Sequence, residues 1–364
     1  MSDTAFQRER ARVGRVVARV ALLSSLALAA LLPARGAASS EPDQVHLGVA
    51  RSMSDSGYYV ADKKGYFRDE GIAVAMTAFS SAALMVAPLG TGELDVGGGT
   101  VSAGLYNAVS RGILLKVVAD QASMRPGYGF AGLMVRKDLV ESGRYRTLAD
   151  LKGMRVAMTA PGTGTSSTLN QLLIKGGLTY GDADVVYLAF PEHLTAYLNK
   201  AIDASLTTEP TMTQMIEEGV AVRVLGNDQV VPDQQIAVAI YSGKFIADRR
   251  DVARRFMRAC LRGVRDYYAA LKGGRLAGPG ADEIISILTD YTTIKDPAMY
   301  RRIIPSSVDP DGRVKLGSLR TDLAFYKAHG FVQSDAIEVE DVVDNSFVEE
   351  AVKALGPYRG PHDP

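Results

Sequence analysis

The chain has 364 residues, 47% hydrophobic and 23% charged, with 41 basic and 41 acidic side chains and a formal charge of zero. That is the length and balance of a soluble globular protein with two compact domains and a sizeable core. No Lys/Arg-rich run follows residue 40, which argues against a nucleic-acid partner.

The first 38 residues stand apart from the rest. Arg8, Arg10, Arg12, Arg15 and Arg19 precede the apolar run Val20–Leu32, and Gly36-Ala37-Ala38-Ser39 follows it. A basic stretch, an apolar stretch and a small-residue cleavage site make up a secretory signal, expected to be cut near Ala38. The apolar run is short for a membrane span, which needs roughly 20 residues, although an uncleaved anchor is the alternative. Removing the segment takes away six arginines and two acids, so the mature chain is mildly acidic. Cys260 is the only cysteine, so no intrachain disulfide can form, and its place in a helical pattern makes it a small core residue.

From residue 44, short β-branched runs alternate with helical stretches. Strands are expected at Val45–Ala50, Ile72–Phe79, Leu94–Gly97, Leu114–Ala119, Arg155–Thr159, Asp184–Ala189, Ala204–Thr207 and Ala221–Leu225. This alternation predicts an α/β fold whose sheets are mixed but mostly parallel and flanked by helices. One pattern occurs twice. Strand, Ser/Gly loop, helix, Gly71, strand, helix and Asp95 are repeated as strand, Gly/Thr/Ser loop, helix, Gly177, strand, helix and Asp203. The repeat predicts two lobes on one plan: residues 44–130 with 240–356, and residues 131–239 inserted between them. Gly127–Arg136 and Gln235–Tyr241 are where the chain would cross, forming a hinge of two segments. A long helix is expected over Asp248–Leu271, with Val252, Phe256, Cys260, Val264 and Tyr267 on one face. Residues 281–355 read as helical, with the last helix starting at Asn345-Ser346, and 357–364 as a tail.

Catalytic and metal motifs are missing from the sequence. His46, His193, His329 and His362 form no metal-binding spacing, no C-x-x-C occurs, and Gly162–Thr165 lacks the ending of a phosphate loop. No cofactor or metal is therefore expected. Ala160–Thr168 (APGTGTSST) is the strongest binding candidate, because it follows a strand and opens a helix. Glycine lets a ligand approach the backbone there, Thr163, Thr165, Ser166 and Ser167 offer hydroxyls, and the helix start offers free N–H groups. The alternative is an ordinary helix cap. Ser54, Ser56, Tyr58 and Tyr59 follow the first strand, Ser80 and Ser81 the second, and Thr100 the Gly97–Gly99 run; Glu209 occupies the matching place in the second lobe. Ligands of α/β proteins bind at such strand ends.

The segments Tyr58–Gly71 (YYVADKKGYFRDEG), Gly92–Val96, Leu148–Val156 with Gly162–Ser167, and Asp341–Leu355 resemble the periplasmic binding proteins for taurine, alkanesulfonates, nitrate and thiamine-pyrimidine precursors. The resemblance covers residues 44–356. It implies a two-lobed, type II-like periplasmic binding fold and an interlobe pocket on Ser54–Tyr59, Ser80, Ser81, Thr100, Thr163, Gly164, Thr165, Ser166, Ser167 and Glu209. It further implies a monomer that passes a small molecule to an ABC permease in the inner membrane. The chain has no tryptophan, so Tyr58, Tyr59 or Tyr128 would cover the ligand, for which an organic sulfonate or carboxylate is expected. An enzyme of cofactor biosynthesis on the same fold and a ligand-sensing subunit are the alternatives.

Overall fold

A computed structural model describes residues 41–361; the expected secretory segment lies outside the described residues. Among the described residues, besides one hairpin of two two-residue strands, ten strands occur. They are β1 (Asp43–Val49), β2 (Ile72–Ala78), β3 (Val96–Gly99), β4 (Leu115–Ser123), β5 (Ala131–Arg136), β6 (Arg155–Met158), β7 (Asp184–Tyr187), β8 (Ala204–Thr208), β9 (Ala221–Gly226) and β10 (Gln235–Ser242). Eight helices among the described residues have eight or more residues: α1 (Ser56–Lys63), α2 (Ala103–Ser110), α3 (Gly164–Lys175), α4 (Phe190–Leu198), α5 (Arg250–Ala269), α6 (Ala281–Tyr291), α7 (Leu316–Ala328) and α8 (Ser346–Leu355).

The strands form two five-stranded sheets, ordered β2-β1-β3-β10-β4 and β7-β6-β8-β5-β9. In each, the first three strands are parallel and the last two pairings antiparallel. The antiparallel share exceeds the expectation because the fourth strand of each sheet arrives from the other one. Strand β5 enters the second sheet after the crossing at 124–130, and β10 returns to the first after the crossing at 227–234. Both are buried along nearly their whole length, as strands covered on two faces must be.

The repeated aspartates anchor both sheets in the same way. Asp95 donates its N–H to the His46 carbonyl, and its carboxylate accepts the His46 N–H at 2.9 Å. Asp203 makes the same exchange with Arg155, its carboxylate accepting the Arg155 N–H at 3.1 Å. Each aspartate then passes its carbonyl to the crossing strand, to Ser242 N–H in one sheet and Arg136 N–H in the other. Arginines neutralise both, Arg249 at Asp95 and Arg136 with Arg155 at Asp203.

Two further features differ in detail from the sequence reading. Strand β4 runs to Ser123, beyond the apolar stretch, because its polar end is buried among partners: Asp120 accepts bonds from Ser123 Oγ, Gln235 Nε2 and the Asp309 N–H at 2.7–2.8 Å. The C-terminal region is not continuously helical. Residues 303–315, broken by Pro305, Pro310 and Gly312, run irregularly along the crossings. There, Ser123 N–H donates to the Ser307 carbonyl, Met124 N–H to the Gln234 carbonyl, and Lys315 N–H to Gln235 Oε1. Helix α5 buries Val252, Phe256, Cys260, Val264 and Tyr267 against α1, while Arg255, Arg258 and Arg262 on its outer face pair with acids. Among the described residues, no helix is long and apolar enough to cross a membrane.

Candidate functional site

Residues at or just beyond the C-terminal ends of all six parallel strands meet at a cavity of about 270 Å³. Ala50, Ser80 and Thr100 come from the first sheet, Thr159, Ala189 and Thr208 from the second, and the starts of β5 and β10 close the back with Phe130 and Gln235–Ala237. This placement follows from strand direction: parallel strands carry their C-terminal loops to one edge, and here two such edges face each other. No Asp, Glu, Lys, Arg, His or Cys side chain is part of the described wall.

Three helices of eight or more residues begin at this wall, α2 after Ser102, α3 after Thr163 and α4 after Ala189. Each points the positive end of its dipole at the wall, but the Ala103 and Leu105 N–H groups of α2 already donate to the Gly162 carbonyl and Ser102 Oγ, and Pro191 in the first turn of α4 has no N–H, so α3 offers the fullest set of first-turn N–H groups. Ser102 Oγ accepts the Leu105 N–H at 3.4 Å, and Ser81 Oγ accepts the Ala83 N–H at 3.3 Å. A hydroxyl that caps by accepting keeps its own proton to donate. Thr163 and Thr165 share a hydroxyl bond at 2.8 Å, and Thr163 also reaches the Ala160 carbonyl at 3.1 Å. Thr100 is different: its hydroxyl donates to the Ile236 carbonyl at 3.0 Å, tying β3 to β10.

Of the expected site residues, the wall brings together Ser54, Ser80, Ser81, Thr100, Thr163, Gly164 and Thr165. The others do not line it. Ser56 donates to the Met53 carbonyl at 2.5 Å inside the helix start. Tyr58 is fully buried near Phe256, and Tyr59 stacks on Tyr291 with its hydroxyl on Asp55. Ser166 and Ser167 are buried within α3, Ser166 Oγ lying 3.3 Å from the Ala160 carbonyl. Glu209 is 4% exposed; it accepts the Thr213 N–H at 3.0 Å and the Ile304 N–H at 3.4 Å, and burial pushes its carboxyl up. It joins the end of β8 to the irregular segment instead of facing a ligand. Tyr128 is buried beside Arg125, so the aromatic cover of the cavity is Phe130 and Phe190.

The glycines of β3 serve packing more than ligand approach. A Cβ at Gly97 would stand 2.9 Å from Leu89, and one at Gly98 would stand 2.9 Å from the Tyr58 ring; only Gly99 reaches the wall. Cys260 is buried beneath Gln121 Nε2 at 3.2 Å, and burial pushes its thiol up to about 12, as suits a core residue. The sequence reading missed Asn227, Gln234 and Gln235, all on the wall. Their signal was available: three amide side chains at a crossing otherwise bound for a buried strand.

The two halves of the wall touch directly. Ala103 N–H at the start of α2 donates to the Gly162 carbonyl before α3 at 2.8 Å. Gly162 has φ of +60°, and a Cβ there would lie 2.8 Å from Ala103 Cβ and 3.3 Å from Phe331 Cβ. A Cβ at Gly164 would lie 3.3 Å from Thr100 Cγ2.

A sequence model of the family described as NMT1/THI5 like matches residues 53–270, more than half of the chain. No curated protein matches. Among solved structures, the periplasmic nitrate-binding protein NrtA from Synechocystis PCC 6803 superposes with a TM-score of 0.72 at 14% identity, over 87% of this chain and 90% of that one. The ligand-binding component of an ABC-type import system from Staphylococcus aureus, solved with zinc bound, gives 0.69 at 14% identity over 85% and 99%. The alkanesulfonate-binding protein SsuA from Xanthomonas axonopodis pv. citri, bound to MOPS, gives 0.64 at 18% identity over 84% and 99%. The desulfurization enzyme DszB has the same fold at a TM-score of 0.58 and 12% identity, over 86% and 99%. At these identities the likenesses establish the periplasmic-binding-protein fold, with its two mixed sheets.

Proposed function

The chain belongs to the NMT1/THI5-like family, and from that premise we propose that it is the substrate-binding component of an ABC importer. It is exported to the periplasm with its first 38 residues removed. Two lobes, residues 44–130 with 240–356 and residues 131–239, close by hinge bending on a small organic anion, a sulfonate or a carboxylate. The closed monomer then delivers the ligand to a membrane permease. Closure is the functional step.

The observation that carries this reading is the convergence of the α2, α3 and α4 starts on a hydroxyl-lined cavity. The N–H groups at the start of α3, the hydroxyl protons of Ser81 and Ser102, and the three dipole ends compensate an anion's lost hydration without a cationic side chain. The apolar faces of Phe130, Phe190, Pro191 and Ile236 suit a short carbon chain behind the charged head. Similar folds described as binding nitrate and, in a complex with MOPS, an alkanesulfonate buffer are in keeping with that choice. The fold of DszB gives the enzyme reading a specific footing. Against it stands a wall without an ionisable side chain to act as base or nucleophile.

A thermal-shift screen of the exported chain against sulfonates, carboxylates, nitrate and pyrimidines tests the proposal. A ligand at 100 times its dissociation constant stabilises by about 2.7 kcal/mol, a rise on the order of several degrees for a chain of this size. A hit recovered unchanged supports capture. A hit that is consumed favours the enzyme, and shifts from neutral compounds alone refute the anionic class.

A further inference from the structure

A buried carboxyl sits where the two halves of the molecule meet. Helix α7 belongs to the core of the first sheet through Leu319, Leu323 and Tyr326, and α3 to the core of the second through Leu169, Leu172 and Leu173. The first turn of α7 is tied to the returning crossing, where Ser318 Oγ accepts the Gln235 N–H at 2.9 Å. Its later turns run along the second half. A Cβ at Gly164, the start of α3, would stand 3.8 Å from Asp322 Oδ2, and Tyr180 meets Phe325 and His329 at ring distances of 5.2 and 5.3 Å. In this seam Asp322 and Ser167 are 3% and 1% exposed.

Nothing around Asp322 neutralises it. Burial pushes its carboxyl up to about 7, opposed by the Ser167 hydroxyl, which makes no full hydrogen bond to it. From α2 comes the Tyr106 hydroxyl, itself pushed up by burial, and the one cation of α3, Lys175, donates to the distant Val230 carbonyl. On α7 itself, Tyr326 donates to the Val101 carbonyl, while Arg320 and Lys327 are taken by Glu340 and Glu338 at the short helix Val339–Val342. His329 Nδ1 lies 3.0 Å from the Phe325 carbonyl. An ionised carboxylate without a cation is costly in such a place, and a neutral carboxyl is much less so.

We propose that Asp322 couples the opening of the cleft to a proton: its carboxyl is neutral while the seam is shut and ionises when α7 and α3 part and water reaches it. This rests on the hinge-bending reading above and adds a control to it. With Asp322 at about 7 in the shut seam and at the ordinary 3.8 in water, shutting takes up a proton. Shutting is therefore favoured at low pH, and the advantage is lost as pH rises through 7. Between pH 8 and pH 5 the ratio of shut to open molecules changes by at most about a hundredfold. Burial also raises Asp55 and Asp120 to about 7, but they take their hydrogen bonds from the first sheet and the segments along it, so substitution of Asp322 isolates the seam.

Small-angle scattering of the full exported chain without ligand, in a series from pH 8 to pH 5, tests the coupling. The wild type should contract as pH falls, as should His329→Gln. Asp322→Asn, neutral throughout, should hold the contracted radius at every pH. A wild type that does not contract, or an Asn variant that follows it, overturns the inference. Should Asp322→Asn fail to fold, Ser167→Ala serves instead: it removes the hydroxyl that opposes burial, so the transition should move to higher pH, and an unmoved midpoint overturns the inference. Gly162→Ala, whose Cβ would press on Ala103 across the two halves, separates this from the hinge. If it is more expanded than the wild type while the wild type ignores pH, the hinge stands and the coupling falls. One radius for every variant at every pH overturns both.

Discussion

Replacing Gly162 by alanine should separate the cost of a strained backbone from the cost of keeping the cleft shut. At φ of +60°, any L side chain destabilises the fold locally by about 1–2 kcal/mol, whether the cleft is open or closed. The added Cβ also meets Ala103 Cβ at 2.8 Å, where carbon pairs ordinarily rest at about 3.5–4.0 Å. That contact spans α2 and α3 and exists only while the two halves touch. Relieving it costs about 1–3 kcal/mol, so the dissociation constant should rise roughly five- to 150-fold. Gly177→Ala is the matched control, with φ of +72° and open space around the new Cβ. Both variants should melt lower by several degrees. Only Gly162→Ala should lose affinity in calorimetry and fail to contract on ligand addition in small-angle scattering. Equal affinity in the two variants would refute the view that ligand is held with these halves in contact.

The wall distinguishes neighbouring hydroxyls of α3: Thr165→Val should weaken ligand binding about tenfold, whereas Ser166→Ala should lower the melting temperature and leave affinity unchanged, as read by titration and thermal melts. Asp322 is buried, and burial pushes its carboxyl up to about 7. Its folded pKa lies above the unfolded value of 3.8, so its contribution is present at low pH and lost as pH rises from about 4 to 7. Asn at this position should therefore gain on the wild type across that window, by at most about 1.4 kcal/mol per pH unit in urea titrations; a pH-independent difference would contradict the assignment. Asp95→Ala and Asp203→Ala should each cost about 2–3 kcal/mol, and a neutral result for either would show that the two anchors are not equivalent.

Much of the fold was legible because its signals are local. β-branched runs and turn residues located eight strands to within a few residues, and the recurrence of Gly71 to Asp95 in Gly177 to Asp203 announced two sheets on one plan. The hydroxyl loops were legible for the same reason: each follows a strand and opens a helix. What local pattern cannot supply is the direction of a side chain. Tyr58, Tyr59, Ser166 and Glu209 sit in the right loops and turn into the core, since each lies one position or one helical face away from the cavity. Asn227 and Gln234 were passed over for the opposite reason: Asn227 opens only a four-residue helix after β9, Gln234 follows it before β10, and neither place carries the Gly/Ser/Thr run that marks the other loops. The polar end of β4 and the segment 303–315 were hidden because their stability comes from partners far away in sequence, 80 residues from Lys315 to Gln235 and 189 from Asp120 to Asp309.

The exchange of fourth strands sets an order of assembly. All five strands of the second sheet lie between residues 131 and 226, so that sheet can be completed as soon as this stretch is available. The first sheet cannot: β4 has no neighbour in it other than β10, which is made more than 100 residues later. Until then β3 and β4 face an unfilled slot the width of one strand, and closing it joins distant parts of the chain, which is slow. A nascent chain is thereby kept from burying its first core early, an order that would suit the export proposed above, in which the polypeptide crosses a membrane before it folds.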